Sequence, residues 1–417
     1  MKLAWFITQR LARTRSKAFS RLIIRIATVA ISLSLAVMII TSSLVRGFQQ
    51  TISDKVYGFM GHVLITQLDS RQDRQSFDDL PVSSNQAFYP VLAQMPGVRH
   101  VQVFGRKAGI IKNGQDIEGI IVRGVGPDFD WEAFSPFLVE GQPLAGAAPE
   151  VDNGILISRS TQKRLGFKTG DELAVFFIDQ SDEGKFRQRA REFVVSGIYH
   201  TGLEEYDKLF ALADIRHLRR INGWADDEVG GFEVFLDNAD NPAALQAWTE
   251  IIDEEAGPFL SVASIRQLEP NIFDWLNLQG QNEGIVLTLM MIVAVINMVT
   301  SLLILILERT HMIGVLKALG AGDWAVRRIF LWHAAWIIGI GLFWGNVLGL
   351  GLCLAQQEFG LIRLPEESYY VTEAPVVIEP LRVLLLNVLT LVVCTTFLLL
   401  PSWLVTRVNP IQALRFD

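Results

Sequence analysis

Residues 26–45 read IATVAISLSLAVMIITSSLV, a run of twenty residues without a charged side chain. At about 1.5 Å per residue, such a run is long enough to cross the hydrocarbon core of a bilayer, which is roughly 30 Å thick. Seven basic and no acidic side chains precede it, and this bias places the amino terminus on the cytoplasmic side. Because the run ends without the small-residue cleavage site of a signal peptide, we expect it to remain as a membrane span.

Three further apolar runs give four spans in total, which we assign to residues 22–46, 283–307, 329–355 and 381–400. The connection 308–328 is basic and the connection 356–380 is acidic, so we expect the first inside and the second outside the membrane. Residues 1–21 are basic and amphipathic, which is typical of a helix on the inner membrane surface. Residues 401–417 would then form a cytoplasmic tail.

Residues 47–282 have the composition of a soluble domain with its own core. Short β-rich runs alternate with helical patterns, and an Asn113-Gly114 turn between two apolar runs predicts a β-hairpin. The sequence therefore predicts an α-helical membrane protein with four transmembrane helices and a large α+β domain between the first and second.

The chain lacks the sequence patterns of common catalytic sites. It contains no G-x-x-x-x-G-K-[ST] loop for a nucleotide and no G-x-S-x-G elbow, and its six histidines lack the spacing of a metal site. The net charge of −7 averages a basic inner side and an acidic outer side, and we expect no nucleic-acid partner. We therefore predict a protein that is not an enzyme and has no metal or cofactor of its own.

Small and polar residues within the spans predict contacts between helices. Gly341, Gly345 and Gly349 recur at four-residue steps, so that another helix can approach one face of the third span closely. Packing within the chain is the simpler interpretation, and a contact with a second subunit is the alternative. Asn297 is the main polar residue of the second span, and we expect it to form an interhelical hydrogen bond.

The connection between the second and third spans contains ERTHMIGVLKALGA, residues 308–321. Its pattern predicts a short helix with Met312, Val315, Leu316 and Leu319 on one face, Lys317 near the carboxyl end and Gly320 just after it. The apolar face could pack on the membrane surface or insert into a groove of a cytoplasmic partner.

At this motif the chain resembles the FtsX-like permease family, and within it the lipoprotein-releasing permeases of the LolC/LolE type. Four stretches beyond the motif carry the resemblance along the chain: LEPNIF at 268–273; GIYHTG at 197–202 with EYD at 205–207; LP at 364–365 with YYV at 369–371; and NPIQALR at 409–415.

The resemblance implies the type VII ABC transporter (MacB/LolCDE-like) architecture, in which two such permeases sit on a dimer of a separate cytoplasmic ATPase that binds the ATP. It implies a bacterial inner-membrane location with both termini cytoplasmic, and a lipoprotein substrate passed to a periplasmic carrier. Residues 179–190 correspond to the hook that recruits this carrier in one permease of the branch, but here the stretch is charged and lacks the proline of many hooks. The implied ATPase-coupling residues are Glu308, Arg309, Met312, Ile313, Gly314, Val315, Leu316, Lys317, Leu319 and Gly320.

We expect the outer halves of the first and second spans to line a lateral entry for lipid, because flexible Met pairs suit varied acyl chains. The candidate lining residues are Val37, Met38, Ile40, Thr41, Leu44, Phe48, Leu287, Met290, Met291 and Ala294. For any single residue, packing or lipid contact is the simpler explanation.

The alternative functions are a mechanotransmission exporter of the MacB type and an FtsX-type regulator of a cell-wall hydrolase. Pairing with itself and pairing with a paralogue both stay open.

Overall fold

The computed structural model of the chain describes residues 18–68, 78–145, 150–180, 186–237, 239 and 241–403. Residues 1–17 of the expected amphipathic segment and residues 404–417 of the expected tail lie outside this part. The chain divides into two compact units, and the second consists of Gln50–Asp274 and Leu364–Thr372. The expected outer loop 356–380 is therefore divided, since its central nine residues belong to the unit of the large domain.

The helices and strands are numbered along the chain. The helices are α1 (Ala18–Met60), α2 (Phe88–Gln94), α3 (Trp131–Phe134), α4 (Arg159–Leu165), α5 (Glu204–Leu209), α6 (Ile215–Asn222), α7 (Pro242–Ala256), α8 (Ile265–Leu268), α9 (Pro270–Glu308), α10 (Thr310–Ala318), α11 (Asp323–Phe359), α12 (Glu366–Tyr369), α13 (Pro380–Phe397) and α14 (Leu399–Ser402). The strands are β1 (Val63–Gln67), β2 (Val82–Ser83), β3 (Val98–Asn113), β4 (Asp116–Val125), β5 (Leu138–Gly141), β6 (Gly154–Ser158), β7 (Glu172–Gln180), β8 (Phe186–Tyr199), β9 (Phe210–Asp214), β10 (Glu228–Val229), β11 (Gly231–Leu236) and β12 (Leu260–Ser264).

Four helical segments are long and apolar enough to cross a membrane: Leu22–Met60, Pro270–Glu308, Asp323–Phe359 and Pro380–Ser402. Each contains one of the spans predicted from the sequence. Helix α1 has 43 residues, so it is about 65 Å long and roughly twice the thickness of a bilayer core. It continues as one helix past the predicted end of the first span at residue 46.

The glycines of α11 lie against α1 of the same chain. A Cβ atom added to Gly345 would lie 2.9 Å from both Leu35 Cβ and Ser32 O, and one added to Gly341 would lie 2.7 Å from Ile31. Ser32 Oγ also donates a hydrogen bond to Gly341 O at 2.9 Å. The two helices therefore approach closely through small residues within the chain.

Two asparagines that the sequence reasoning overlooked join α11 to α13. Asn346 Nδ2 lies 2.7 Å from Asn387 Oδ1, and Asn387 Nδ2 lies 3.0 Å from Asn346 Oδ1. The interhelical bond expected of Asn297 is not formed in the described part of the chain, because its amide donates to Val293 O in its own helix. The orientation of each asparagine, rather than its presence in a span, decides which one joins two helices.

The large domain is built on a ten-stranded sheet in the order β12-β1-β11-β3-β4-β9-β6-β8-β5, with β7 pairing to β3 and β8. Strands β3 and β4 form the hairpin predicted around Asn113, with Asn113 opposite Asp116. Two pairs, β4 with β9 and β6 with β8, are parallel. The domain is therefore α+β, as the sequence predicts.

A buried arginine anchors the end of α1 inside this domain. Arg123 on β4 donates to the carbonyl oxygen of Phe59 in the last turn of α1 and to the carboxylate of Glu233 on β11. Both ionic side chains are 1% exposed, and Gln102 donates a second hydrogen bond to Glu233 at 2.7 Å. The Arg123 guanidinium also lies over the rings of Phe59 and Phe129.

The contact between α1 and α11 predicts that the effect of a larger side chain on stability depends strongly on which glycine of α11 it replaces. Gly345→Leu should lower the free energy of unfolding by about 1–3 kcal/mol, because the side chain must displace the α1 backbone. Gly351→Leu on the same helix is the control, since nothing lies within 4 Å of its added Cβ. Thermal unfolding of the two variants in detergent measures the difference, and equal midpoints would contradict the contact.

Candidate functional site

The helix α10 lies in the short connection between the membrane helices α9 and α11, where the sequence reasoning placed a partner-binding motif. It ends in a Schellman turn: Gly320 has φ +89°, its N–H donates to Lys317 O, and Ala321 N–H donates to Leu316 O, each at 3.0 Å. Lys317 Nζ lies 2.8 Å from Asp323 Oδ1 at the start of α11. The turn and the ion pair fix where α10 ends and α11 begins.

The apolar face predicted for α10 is divided in the structure. Ile313 and Gly314 are buried, and Met312 and Leu316 pack against an apolar cluster that includes Val326 and Phe330 of α11. Met312 and Leu316 are thus half-buried, whereas Val315 and Leu319 are exposed. The interpretation that these four residues share a partner-binding face stays a prediction.

The other side of α10 carries His311, Val315, Ala318 and Leu319, all exposed. We call these four residues the exposed stripe. They follow the i, i+4, i+7, i+8 spacing of one helix face, and Leu319 is 80% exposed. In the described part of the chain, the stripe is the most exposed side of α10, and only Ile313 and Gly314 of this helix are buried.

Glu308 and Arg309 join α9 to α10 and are half-buried. Glu308 Oε2 and Arg309 Nε have no hydrogen-bond partner among the described residues. Glu308 also lines a narrow crevice together with Ile24 of α1 and Ala334 of α11. These two side chains therefore face the helix bundle rather than the exposed stripe.

The candidate lipid residues are largely brought together. One apolar cluster joins Met38, Ile40, Leu44, Leu287, Met290 and Met291 to residues of α11 and α13. Ala294 is fully buried in the neighbouring cluster, around Met298, and Phe48 lies 6.4 Å from Trp275, ring centre to ring centre. Val37 and Thr41 are half-buried outside both clusters.

The candidate lining residues are buried to different degrees. Met38 and Ala294 are 0% exposed, and the other eight are half-buried. The exposed large apolar residues of α9 are Leu278, Ile285, Leu289, Ile292, Val293, Ile296 and Leu307.

Ion pairs that were not foreseen connect the outer ends of three membrane helices. Arg46 of α1 lies 2.6 Å from Glu379, and Arg382 of α13 lies 3.0 Å from the same carboxylate. Arg382 is also 3.8 Å from Glu283 of α9. Their charges were visible in the sequence, but their pairing depends on how the helices pack.

Comparison with known proteins decides the family. A model described as MacB-like periplasmic core domain matches residues 26–251, more than half of the chain, and one described as FtsX-like permease C-terminal matches residues 284–410. The chain belongs to the FtsX-like permeases with a MacB-like periplasmic core domain. The large domain is thus a periplasmic core domain, and the four long helices are those of an ABC transporter permease.

Relatives with assigned names match this permease over nearly its whole length. The "Lipoprotein-releasing system transmembrane protein LolC" of Xylella fastidiosa is 24% identical, covering 97% of this chain and 96% of its own. LolE of Haemophilus influenzae, which carries the same description, is 22% identical over 99% of both chains. The solved periplasmic region of MacB from Actinobacillus actinomycetemcomitans covers 50% of this chain and 91% of its own, at 14% identity and a TM-score of 0.34.

The division of α10 can be tested by cysteine labelling. Leu319→Cys should react rapidly with a membrane-impermeant maleimide in inside-out vesicles, whereas Ile313→Cys, buried in the bundle, should react slowly. The native Cys353 and Cys394 are buried, so the background is low. Phe259→Cys, 84% exposed in the periplasmic core domain, is the control for the opposite side. Rapid labelling of Leu319→Cys in intact spheroplasts would contradict the expected position of α10 on the cytoplasmic side of the membrane.

Proposed function

We propose that this chain is the permease subunit of an ATP-driven complex that extracts lipoproteins from the outer leaflet of the bacterial inner membrane for transfer to a periplasmic carrier. The observation that carries the proposal is the end-to-end similarity to proteins named lipoprotein-releasing system transmembrane protein. Both termini and α10 would lie in the cytoplasm, in keeping with the seven basic residues before the first span.

The energetics of extraction explain why a permease is needed. A triacylated lipoprotein buries on the order of 45 methylene groups, and at about 0.8 kcal/mol each their transfer to water costs roughly 35 kcal/mol. Non-covalent binding saturates near 18–21 kcal/mol, so a carrier could not remove the lipid through water unaided. A continuous apolar route reduces the cost to the difference between membrane, permease and carrier.

The apolar cluster of Met38, Leu44, Leu287, Met290 and Met291 is the surface we assign to this route. Its side chains fill the space between α1, α9, α11 and α13, so lipid would enter as α1 and α9 separate. Methionine supports such a change because its unbranched side chain repacks easily around different shapes. Closure of the same helices would then expel the lipid towards the periplasmic core domain.

The energy would come from a separate ATPase dimer, since the chain has no P-loop sequence. We assign the contact with this ATPase to the exposed stripe of α10, because its other side is already used within the bundle. An apolar helix face inserted into a groove is a common mode of recognition. A second permease, either a further copy or a paralogue, would complete the complex.

Charged substitutions in the exposed stripe should uncouple release from hydrolysis. Val315→Glu with Leu319→Glu should reduce ATP-driven lipoprotein release at least about tenfold, since two apolar contacts of roughly 1–3 kcal/mol are lost. Both positions are exposed, so the chain should still insert and fold. The control is Phe259→Glu, which also replaces an exposed apolar side chain with a carboxylate. Release from proteoliposomes and ATP hydrolysis are measured together, and unchanged release from an assembled complex would refute the contact.

The lipid route predicts where a substrate can be trapped. A photo-crosslinker at Leu44 or Met290 should form adducts with the acyl chains of a bound lipoprotein, whereas one at Val388, exposed on α13, should react with bulk phospholipid. Adducts are identified by mass spectrometry. Absence of lipoprotein adducts at Leu44 and Met290 would favour the MacB-type mechanism. A cell-wall hydrolase crosslinked to the periplasmic core domain would favour the FtsX-type regulator.

A further inference from the structure

The nine residues Leu364–Thr372 lie between the membrane helices α11 and α13 in sequence but belong to the unit of the periplasmic core domain. We call this segment the strap. It closes on itself through a hydrogen bond from Leu364 N to Thr372 O, and it contains the short helix α12. Two of the stretches that carry the family resemblance, around residues 197–207 and 364–371, meet here.

The central contact of the strap is a histidine between two carboxylates. His200 follows β8, and its Nδ1 lies 2.7 Å from Asp207 Oδ2 of α5, while its Nε2 lies 2.9 Å from Glu366 Oε1 of the strap. Asp207 is buried and also accepts hydrogen bonds from the backbone and hydroxyl of Thr201. The carboxylate on the domain side is therefore rigidly held, and the histidine connects it to the strap.

A lysine and a strained backbone position add to this contact. Lys55 of α1 donates a hydrogen bond from Nζ to Tyr370 O at 2.8 Å. Tyr370 has φ +60°, and among the described residues it is the one non-glycine residue with positive φ. Gly202, with φ +75°, leaves the space for these groups, since a Cβ there would collide with Lys55 Nζ and Glu366 Oε1. A backbone conformation that costs energy is kept only where surrounding contacts enforce it.

Both flanks of the strap are fixed to the last turns of α11. Gln356 accepts a hydrogen bond from Ile362 N at 2.9 Å and donates to Ala374 O at 3.1 Å. Gln357 donates to Val376 O at 2.7 Å. The residues before and after the strap are thus held by neighbouring side chains of one helix.

We propose that His200, Asp207, Glu366 and Lys55 form a clasp that makes the strap a proton-sensitive mechanical link between the periplasmic core domain and the helices α11 and α13. While the clasp is closed, a displacement of the domain is passed through the strap to these helices. When His200 loses its proton, the two carboxylates lose their shared cation and the strap detaches. The role of the clasp in transport rests on the proposed function. The closure of the clasp itself does not depend on that function.

The direction of the pH response follows from the groups around His200. The Asp207 carboxylate, and after it Glu366, raises the pKa of His200 above the ordinary 6.5, although burial acts against this. The stabilisation is therefore complete below pH 6.5 and is lost as the pH rises through the raised pKa. Lys55 also faces this site, where its Nζ donates to Tyr370 O. Burial, and after it Glu205, which faces the Tyr370 hydroxyl, raises the pKa of Tyr370.

A spin label on the strap tests the clasp in the full chain, reconstituted in nanodiscs. Ser368→Cys places the label at an exposed position of α12, and Lys168→Cys in a loop of the same domain is the control. From about pH 6 to about pH 9, on either side of the ordinary histidine pKa, the ratio of mobile to immobile strap should rise about tenfold, as expected for loss of a charge-assisted hydrogen bond. The control label should not respond.

Two variants separate the clasp from a general loosening of the domain. With His200→Gln the strap should be more mobile at the acidic end, and its mobility should no longer depend on pH. Glu366→Gln, which keeps the shape and removes one carboxylate, should shift the transition to lower pH. An immobile strap in the unsubstituted chain at about pH 9, or an unchanged profile in His200→Gln, would overturn the proposal.

Transport is measured separately in the assembled complex with its ATPase. Lipoprotein released per ATP should fall as the pH rises in the unsubstituted complex, and in His200→Gln it should be low and independent of pH. A pH response of release that is identical in both would overturn the mechanical role of the clasp. A complex that releases no lipoprotein at any pH, while the spin label still responds, would refute the proposed function and leave the clasp established.

Discussion

The structure depends on the buried contact of Arg123 with Phe59 O and Glu233. Helix α1 contributes residues to both compact units, and its last turn is the part that this contact holds inside the periplasmic core domain. A guanidinium that binds a helix carbonyl and a carboxylate together fixes both the position and the rotation of that turn. Breaking such a buried pair typically costs about 3–5 kcal/mol because a charge is left without compensation. The membrane unit has no comparable ionic contact among its described buried residues.

Much of the architecture could be predicted from the sequence. A run of twenty mostly apolar, uncharged residues between charged flanks is stable in the bilayer, and the Asn113-Gly114 turn has one favoured hairpin geometry. The extension of α1 from Arg46 to Met60 could not be predicted, since these residues have mixed polarity and their helicity depends on tertiary packing around Phe59. The strap was assigned to an ordinary loop because contacts distant in sequence, such as His200 with Glu366, leave no local pattern.

The sequence predicts which segment forms the candidate site, but not which side chains of that segment face outwards. The motif at 308–321 indicates a short amphipathic helix, and Gly320 takes the turn position that its place after the helix requires. Which apolar residues of that helix face outwards depends on α11, whose Val326 and Phe330 contact the side that carries Met312 and Leu316. In the same way, the sequence predicts Met38 and Met290 as neighbours, but only the packing shows that Met38 is fully buried and Met290 half-buried.

The reciprocal amide pair of Asn346 and Asn387 sets the register of α11 against α13. Apolar ridges alone would allow one helix to slide or rotate past the other at small cost, since lipid and side chains are similarly apolar. Each amide here both donates and accepts. A one-residue insertion in either helix would rotate the asparagine of that helix by about 100° and shift it by about 1.5 Å along the helix axis, so that the two amides would no longer meet. The amide pair therefore resists sliding or rotation of α11 and α13 past each other.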